Sequence, residues 1–302
     1  MGIASSLQGW DDVVRTQRMK VGIVANPPKA GAKAALKHLG EALDAVGIER
    51  IYEKATAGVI GESDGLTGLE LAEAADLLAV LGGDGTMLNA MARLGGTSKP
   101  IAGINIGTLG FLTSCKDDEI DAFAEALKVG GYSTSRRTLI AVRVIREGEE
   151  PREFTALNEA VLARGQTGRL VSLSASVNGE LLNHYRADGI IVATPTGSTA
   201  YSLSAGGPLI TPAAGVFVIT PICPHTLSQR SLIVDDEAVI ELSPDDTSEG
   251  PMLFTVDGRD CVEIQAMDRI EVRKAAQELN LVRLEGRSFY AALRQKLNWR
   301  GG

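Results

Sequence analysis

The sequence predicts an α/β N-terminal domain, doubly wound around a mostly parallel sheet, followed by an all-β-rich C-terminal domain, with a C-terminal helix returning to the first domain. Three observations carry that expectation. From Met19 to about residue 131, short apolar runs alternate with stretches whose apolar residues recur at helical spacing, the order that gives parallel strands joined by right-handed crossovers. After Tyr132 the runs become short, β-branched and separated by turn residues. Between them lies Leu77-Leu78-Ala79-Val80-Leu81-Gly82-Gly83-Asp84-Gly85-Thr86, a buried-strand run that ends in glycines around one carboxylate. Asp84 therefore falls at the carboxyl end of a strand, where open α/β sheets bind ligands.

Composition sets the frame. The chain has 302 residues, 44% of them hydrophobic, enough for two modest domains with real cores. No apolar run approaches the roughly 18 residues that span a bilayer, so no membrane partner is expected. A net charge of −8 argues against nucleic acid as the main partner, because affinity for a phosphate backbone comes from Lys and Arg. Cys115, Cys223 and Cys261 are odd in number and far apart, which reads as buried thiols in a reducing cytoplasm rather than a disulfide framework or zinc site. Residues 1–18 carry no secretory core and read as a disordered extension, with Met19 an alternative start. Met1-Gly2-Ile3-Ala4-Ser5-Ser6 fits the myristoylation pattern only loosely.

Met19 to Pro27 begins the first strand. Lys29 to Val46 has helical spacing and stops at Gly47, Ile48 to Tyr52 reads as a short strand, and Gly58 to Gly68 reads as a mobile glycine-rich stretch. After the Leu77 strand, Met87, Leu88, Met91 and Leu94 mark a helix whose first amides, at Gly85, Thr86 and Met87, attract anions. Pro100 to Asn105 is another buried strand, and Asp118 to Val129 a helix that closes the domain at 19–131. The region contains neither a P-loop nor a good Gly-x-Gly-x-x-Gly fingerprint.

The second domain, 132–287, offers strands at Leu139–Ile145, Glu153–Leu157, Ala160–Ala163, Leu170–Val177, Ile190–Ala193, Val216–Ile219, Leu232–Val234, Ala238–Leu242, Met252–Val256, Cys261–Ile264, Ile270–Val272 and Leu279–Leu284, with a hairpin signal at Asn178-Gly179. A helix over Ser288 to Leu297, within 288–302, presents Phe289, Leu293 and Leu297 on one face. Inside this domain, Thr194-Pro195-Thr196-Gly197-Ser198-Thr199-Ala200-Tyr201-Ser202-Leu203-Ser204 is dense in hydroxyls, with an aromatic face at Tyr201 and Gly206-Gly207-Pro208 behind it. Two prolines fix Thr220 to His225, where His225 is equally readable as structural or functional.

Gly82-Gly83-Asp84-Gly85-Thr86, Gly103 to Thr113, Leu157-Asn158-Glu159, Thr194 to Pro208 and Thr220 to His225 together resemble the NAD kinase family, in matching order from Met19 to Trp299. Diacylglycerol kinase-like enzymes and phosphofructokinases carry relatives of the first motif; the set of five is specific. The resemblance implies ATP-dependent phosphorylation of the adenosine ribose 2′-hydroxyl of NAD, a divalent cation, usually Mg, accompanying the ATP, and a homodimer or homotetramer in which NAD touches a neighbouring subunit. It further implies that Asp84 is the catalytic base, that Gly85 lets the ribose approach, and that Asn158 and Glu159 hydrogen-bond adenine or ribose. Asp188 would read an amino group or carboxamide, and Thr199, Ala200, Tyr201, Ser202, Leu203 and Ser204 would line the adenine pocket. Arg169 and Arg186 fall where the family often has basic contacts, although surface arginines are the commoner case. Arg259, after Asp257-Gly258, is either a ligand contact or solvent-exposed. No metal-binding residues are expected from the chain itself.

Overall fold

The computed structural model describes residues 18–26, 31–107, 110–165, 169–226, 228–245 and 251–299, leaving aside the side chains of Asp260 and Cys261. The 1–18 extension and its myristoylation-like start thus lie outside the described residues except for Arg18. Among the described residues, no helix is long and apolar enough to cross a membrane.

The first half builds β1 (Lys20–Ala25), α1 (Ala32–Ala45), β2 (Glu49–Tyr52), α2 (Lys54–Ile60), α3 (Gly68–Ala74), β3 (Leu77–Leu81), α4 (Asp84–Arg93), β4 (Ile101–Asn105), β5 (Cys115–Lys116) and α5 (Ile120–Val129). The strands β2, β1, β3 and β4 lie side by side and parallel. Alternation explains why β1 and β3 are apolar throughout. Val21, Ile23, Leu77 and Ala79 face a core filled by Leu36, Leu39, Leu43 and Phe123 of α1 and α5. Val24, Leu78 and Val80 face Leu71, Met87 and Met91 of α3 and α4. Both faces are covered, as a doubly wound sheet requires.

The stretch from Gly58 to Gly68 differs from its reading as a mobile glycine-rich segment. Gly58 lies within α2, which Gly61 ends in the left-handed conformation at φ 82°. Thr67 and Glu70 then form a capping box that starts α3. Glycine frequency hid a Thr-x-x-Glu signal that was present in the sequence.

The second half contributes β6 (Tyr132–Ile145), β7 (Arg152–Ala156), β8 (Glu159–Arg164), β9 (Val171–Val177), β10 (Glu180–Ala187), β11 (Gly189–Ala193), the one-turn α6 (Tyr201–Ser204), β12 (Val216–Ile222), β13 (Leu232–Asp235), β14 (Ile240–Pro244), β15 (Met252–Val256), β16 (Arg259–Ile264), β17 (Arg269–Leu284) and α7 (Phe289–Lys296). One sheet runs β13-β12-β11-β8-β15-β16. It packs through Leu162, Ile190, Val192, Phe217 and Phe254 against Ile140, Val142, Leu173, Ile240 and Val272 of the other sheet. The runs expected separately at Ile270–Val272 and Leu279–Leu284 are one strand, β17, irregular against β6 only between Lys274 and Glu278. Through β17, which lies parallel to β4 at Leu281 and Ile101, the sheet of the first half continues into the second as an 11-stranded sheet. At the chain end, Ser288 caps α7 by accepting from the Ala291 amide at 3.1 Å. Phe289 meets Phe111 with ring centroids 6.1 Å apart, and Arg287 pairs with Glu119, which docks the helix on the first half.

Candidate active site

Asp84 is the first residue of α4, and its carboxylate is clamped by the loop that follows β4 in the same half. Oδ2 accepts from the Phe111 amide and Oδ1 from the Leu112 amide, both at 3.0 Å. Two of the nearby glycines are demanded by geometry. Gly82 has φ 155°, and a β-carbon there would lie 2.5 Å from the Thr86 Cβ. At Gly110 a β-carbon would stand 2.7 Å from the Asp84 carboxyl carbon. The Gly103–Thr113 motif thus serves as the cradle of Asp84, with Gly110 N donating to Thr113 Oγ1 at 2.9 Å to hold its turn.

A second carboxylate, Asp257, organises the other half of the site. It sits at φ 49°, and accepts from the amides of Leu157 (2.9 Å), Asn158 (2.8 Å) and Glu159 (3.1 Å). Sequence reasoning passed over Asp257 in favour of Arg259. The Asp-Gly pair at a hairpin was visible, but the target of its carboxylate, a hundred residues away, was not. Arg259 itself lies 3.7 Å from Asp257 and donates to the Thr155 carbonyl at 3.3 Å.

Glu159 is 6% exposed, and its Oε2 is buried without a hydrogen-bond partner. Burial, with the Asp257 charge adding to it, pushes the Glu159 carboxyl up to about 8. Burial also raises Asp257, opposed by the three amides and Arg259. Between the ordinary value of 4.5 and about 8, the folded chain therefore holds a proton on Glu159 that the unfolded chain releases. Stability from this group is complete below the lower value and declines as pH rises through the window, by up to about 1.4 kcal/mol per unit. Glu159→Gln, which mimics the protonated acid, is expected to flatten that decline in melting temperature between pH 5 and 8; parallel curves for parent and variant would refute it.

The hydroxyl-rich loop after β11 spends much of its polarity on itself. Thr194 Oγ1 donates to the Leu157 carbonyl at 2.6 Å, and Ser198 Oγ donates to the Pro195 carbonyl at 2.7 Å. Ser202 is fully buried, with its hydroxyl 3.1 Å from that of Thr220, so this position does not line an open pocket as expected. Tyr201 and Ser204 are exposed, with Thr199, Ala200 and Leu203 half-buried beside them. Gly197 presses on the Asn158 backbone, where a β-carbon would lie 2.5 Å from the carbonyl carbon. Leu157, next to Asn158, belongs to the same buried cluster as Met87 of α4 and Leu112 of the Asp84 cradle. A cleft of about 690 Å³ opens beside Asp257 and Arg259, against Met91, Gly95, Leu139 and Phe154. That volume is within the usual range for a small-molecule site.

The remaining expected residues are not brought to this place. Asp188 is bound by Arg164, Nε to Oδ1 at 2.7 Å, and Gly189 pairs with Ala163, at the far end of β8 from Asn158. At about 3.3 Å per strand residue, the two ends stand roughly 17 Å apart. Arg186 is exposed at that far end, where its carbonyl accepts from the His225 amide, and Arg169 is also exposed. Arg164 was missed, since a lone arginine in a strand carries no motif. Among the described residues, no three His, Cys, Asp or Glu side chains gather in a way that could hold a metal ion.

The arrangement, a doubly wound sheet with a carboxylate clamped at a helix N-terminus and continued into a β-rich half, is that of an α/β enzyme with its site at the strand ends. The ATP-NAD kinase N-terminal domain model matches residues 21–132 and the ATP-NAD kinase C-terminal domain model residues 157–284. The NAD kinase of Chlorobium luteolum is 41% identical over 281 residues, covering 93% of this chain and 97% of that protein. The NAD kinase of Carboxydothermus hydrogenoformans is 43% identical over 228 residues, 76% of this chain and 81% of that protein. Among solved structures, yeast NADH kinase complexed with NADH superposes with a TM-score of 0.84 at 25% identity, covering 94% of this chain and 89% of that one. An NAD kinase from Archaeoglobus fulgidus in complex with ATP gives 0.72 at 25% identity, covering 94% and 100%. The chain belongs to the NAD kinase family.

Proposed function

We propose that this enzyme transfers the γ-phosphoryl group of ATP to the 2′-hydroxyl of the adenosine ribose of NAD, giving NADP and ADP, with Asp84 as general base. The observation that carries the base assignment is the clamp on Asp84. Two amides fix the carboxylate in position, and a carboxylate has roughly four acceptor sites, so capacity remains for the ribose proton. A hydroxyl is a poor nucleophile until it is oriented in line with the phosphorus and relieved of its proton, which a carboxylate on a rigid turn provides. The amides opening α4 face the transferring group, and Gly85, with open space where a β-carbon would stand, admits the ribose. Asn158, Glu159 and Tyr201 hold the dinucleotide.

Magnesium acts by neutralising phosphate charge, and among the described residues no cluster of His, Cys, Asp or Glu offers a nest for it. It fits as an ion carried in on the triphosphate, in keeping with the preference of Mg for phosphate and water oxygens. The separation between Asn158 and Asp188 supports a homo-oligomer, in which Arg186 and Asp188 of one copy complete the pocket of another. Cys115 is a buried thiol as expected, whereas Cys223 is exposed at the end of β12 and departs from that reading; two free thiols are in keeping with a cytoplasmic setting.

Purified protein with ATP, Mg and either NAD, NADH, diacylglycerol or no acceptor tests the reading. NADP formation only with the dinucleotide is expected; turnover of the lipid alone would overturn it. Asn158→Ala and Tyr201→Ala are expected to raise the KM for NAD up to about tenfold each, the worth of one lost hydrogen bond or stacking contact. The Asn158 backbone stays pinned by Asp257, so the effect reads the side chain. Unchanged KM in both variants would turn this loop toward another ligand.

A further inference from the structure

The two amides that clamp Asp84 are anchored differently. Leu112, which donates to Oδ1, is 2% exposed and belongs to the buried cluster that holds Met87 of α4 and Leu281 of β17. The chain just after it is tied to strands as well: the Ser114 amide donates to the Gly103 carbonyl and the Ser114 hydroxyl to the Val282 carbonyl, both at 2.6 Å. Phe111, which donates to Oδ2, is half-buried, and its ring meets that of Phe289 on α7. One half of the clamp is built into the core, and the other leans on a helix that returns from the second domain.

That helix is held against the clamp loop at a second point. Arg287, just before the cap Ser288, pairs with Glu119, whose Oε2 accepts from the Lys116 amide on β5 at 2.9 Å. Phe289 and Leu293 stand one helical turn apart on the same face, and Leu293 is buried. Tyr290, edge-on to Phe289 with ring centroids 5.7 Å apart, is 57% exposed. Of these adjacent aromatic residues, Phe289 meets the clamp and Tyr290 faces solvent.

We propose that Phe289 is a positioning residue for the reaction: by bracing Phe111 it keeps the Phe111 amide on Asp84 Oδ2, and so holds the carboxylate in the orientation that takes the ribose proton. This rests on the kinase reading above, with Asp84 as the base. The second torsion of an aspartate side chain is broad, so a carboxylate released at one oxygen swings about the hydrogen bond that remains. Leu112 would still hold Oδ1, which makes the result a misaimed base and not a collapsed site. Misalignment of a reacting group is felt in kcat more than in binding. The leverage of an aromatic pair on such a local equilibrium is about two- to tenfold.

The test uses the full chain with Phe289→Ala, Phe289→Tyr and, as a control from the same turn, Tyr290→Ala. Amide hydrogen exchange resolved at Phe111 and Leu112 reads the brace directly. In Phe289→Ala, exchange at Phe111 should quicken about two- to tenfold while Leu112 keeps the parental rate. With ATP and NAD, kcat should fall by about the same factor and the KM for NAD should stay within about twofold. Phe289→Tyr, which keeps the ring, and Tyr290→Ala, which removes one from the solvent side, should both match the parent. Combined with Asp84→Asn, Phe289→Ala should lower kcat no further, because a residue acting through the carboxylate has nothing left to aim. Unchanged exchange at Phe111 would overturn the brace, and quicker exchange with parental kcat would overturn its part in the reaction. An equal fall in kcat from Tyr290→Ala, or in the Asp84→Asn background, would mark a general loosening of α7 and overturn the proposal as well. If Phe289→Ala does not fold, Phe289→Leu, which keeps apolar volume but not the ring, takes its place in each arm. Absence of NADP formation by the parent would strike at the kinase reading instead, and the exchange rates would still judge the brace.

Discussion

Asp84→Asn is expected to lower kcat by about 10²- to 10⁴-fold, the usual worth of a positioned general base. The substitution keeps the volume of the side chain but cannot take the ribose proton. It also sets an amide NH₂ against one of the two backbone donors, Phe111 N or Leu112 N, that the carboxylate now satisfies together. One of those hydrogen bonds must be lost, so a loosened cradle accompanies the loss of the base. Dissociation constants for NAD separate the two effects, because in the proposed site the dinucleotide is held mainly from the β domain. A variant that turns over within about threefold of the parent while NAD affinity collapses would make Asp84 a ribose ligand, with the proton leaving late to the phosphate in a loose transition state.

The second large effect is expected at Gly197. An alanine there would bring its β-carbon to 2.5 Å from the Asn158 carbonyl carbon and 2.7 Å from its Cα, and closer still to the oxygen. These are backbone atoms, and Asp257 anchors the adjoining amides, so nothing nearby can yield by a rotamer change. Forced overpacking of this kind costs about 1–3 kcal/mol. Gly197→Ala should therefore melt several degrees lower and, by displacing Asn158, raise the KM for NAD more than Asn158→Ala does. Melting curves and NAD titration check both. A variant with the parent's melting temperature and KM would show that the loop can retreat from β8.

Local pattern carried the elements; long-range partners escaped it. The β1 and β3 runs were legible because strands buried on both faces read as unbroken apolar stretches. The Asp84 turn was legible because Gly82, at φ 155°, occupies a position that only glycine serves. The partners of Asp257 and Phe289 were not, since each lies on a distant segment: the amides at 157–159 for the first, Phe111 for the second. The hydroxyls of the 194–204 loop misled in one case. A serine reads the same whether it faces a ligand or, like Ser202, a buried threonine. Joining Ile270–Val272 to Leu279–Leu284 needed the β6 partner, because the irregular stretch between Lys274 and Glu278 interrupts the apolar alternation.

The strand pair β6 and β17 has a mechanical consequence. These strands are zipped together from Tyr132 and Leu284 in one half to Ile145 and Arg269 in the other, so the halves share a stiff spar and not a flexible linker. Swinging one half about the other would tear that ladder, except where it already slips beside Lys274. Substrate entry is then expected to depend on local rearrangement at the rim, such as the exposed turn at Tyr201, while the frame beneath stays still. Amide exchange along β6 and β17 should then be equally slow at both ends, with the rim opening on a much faster clock.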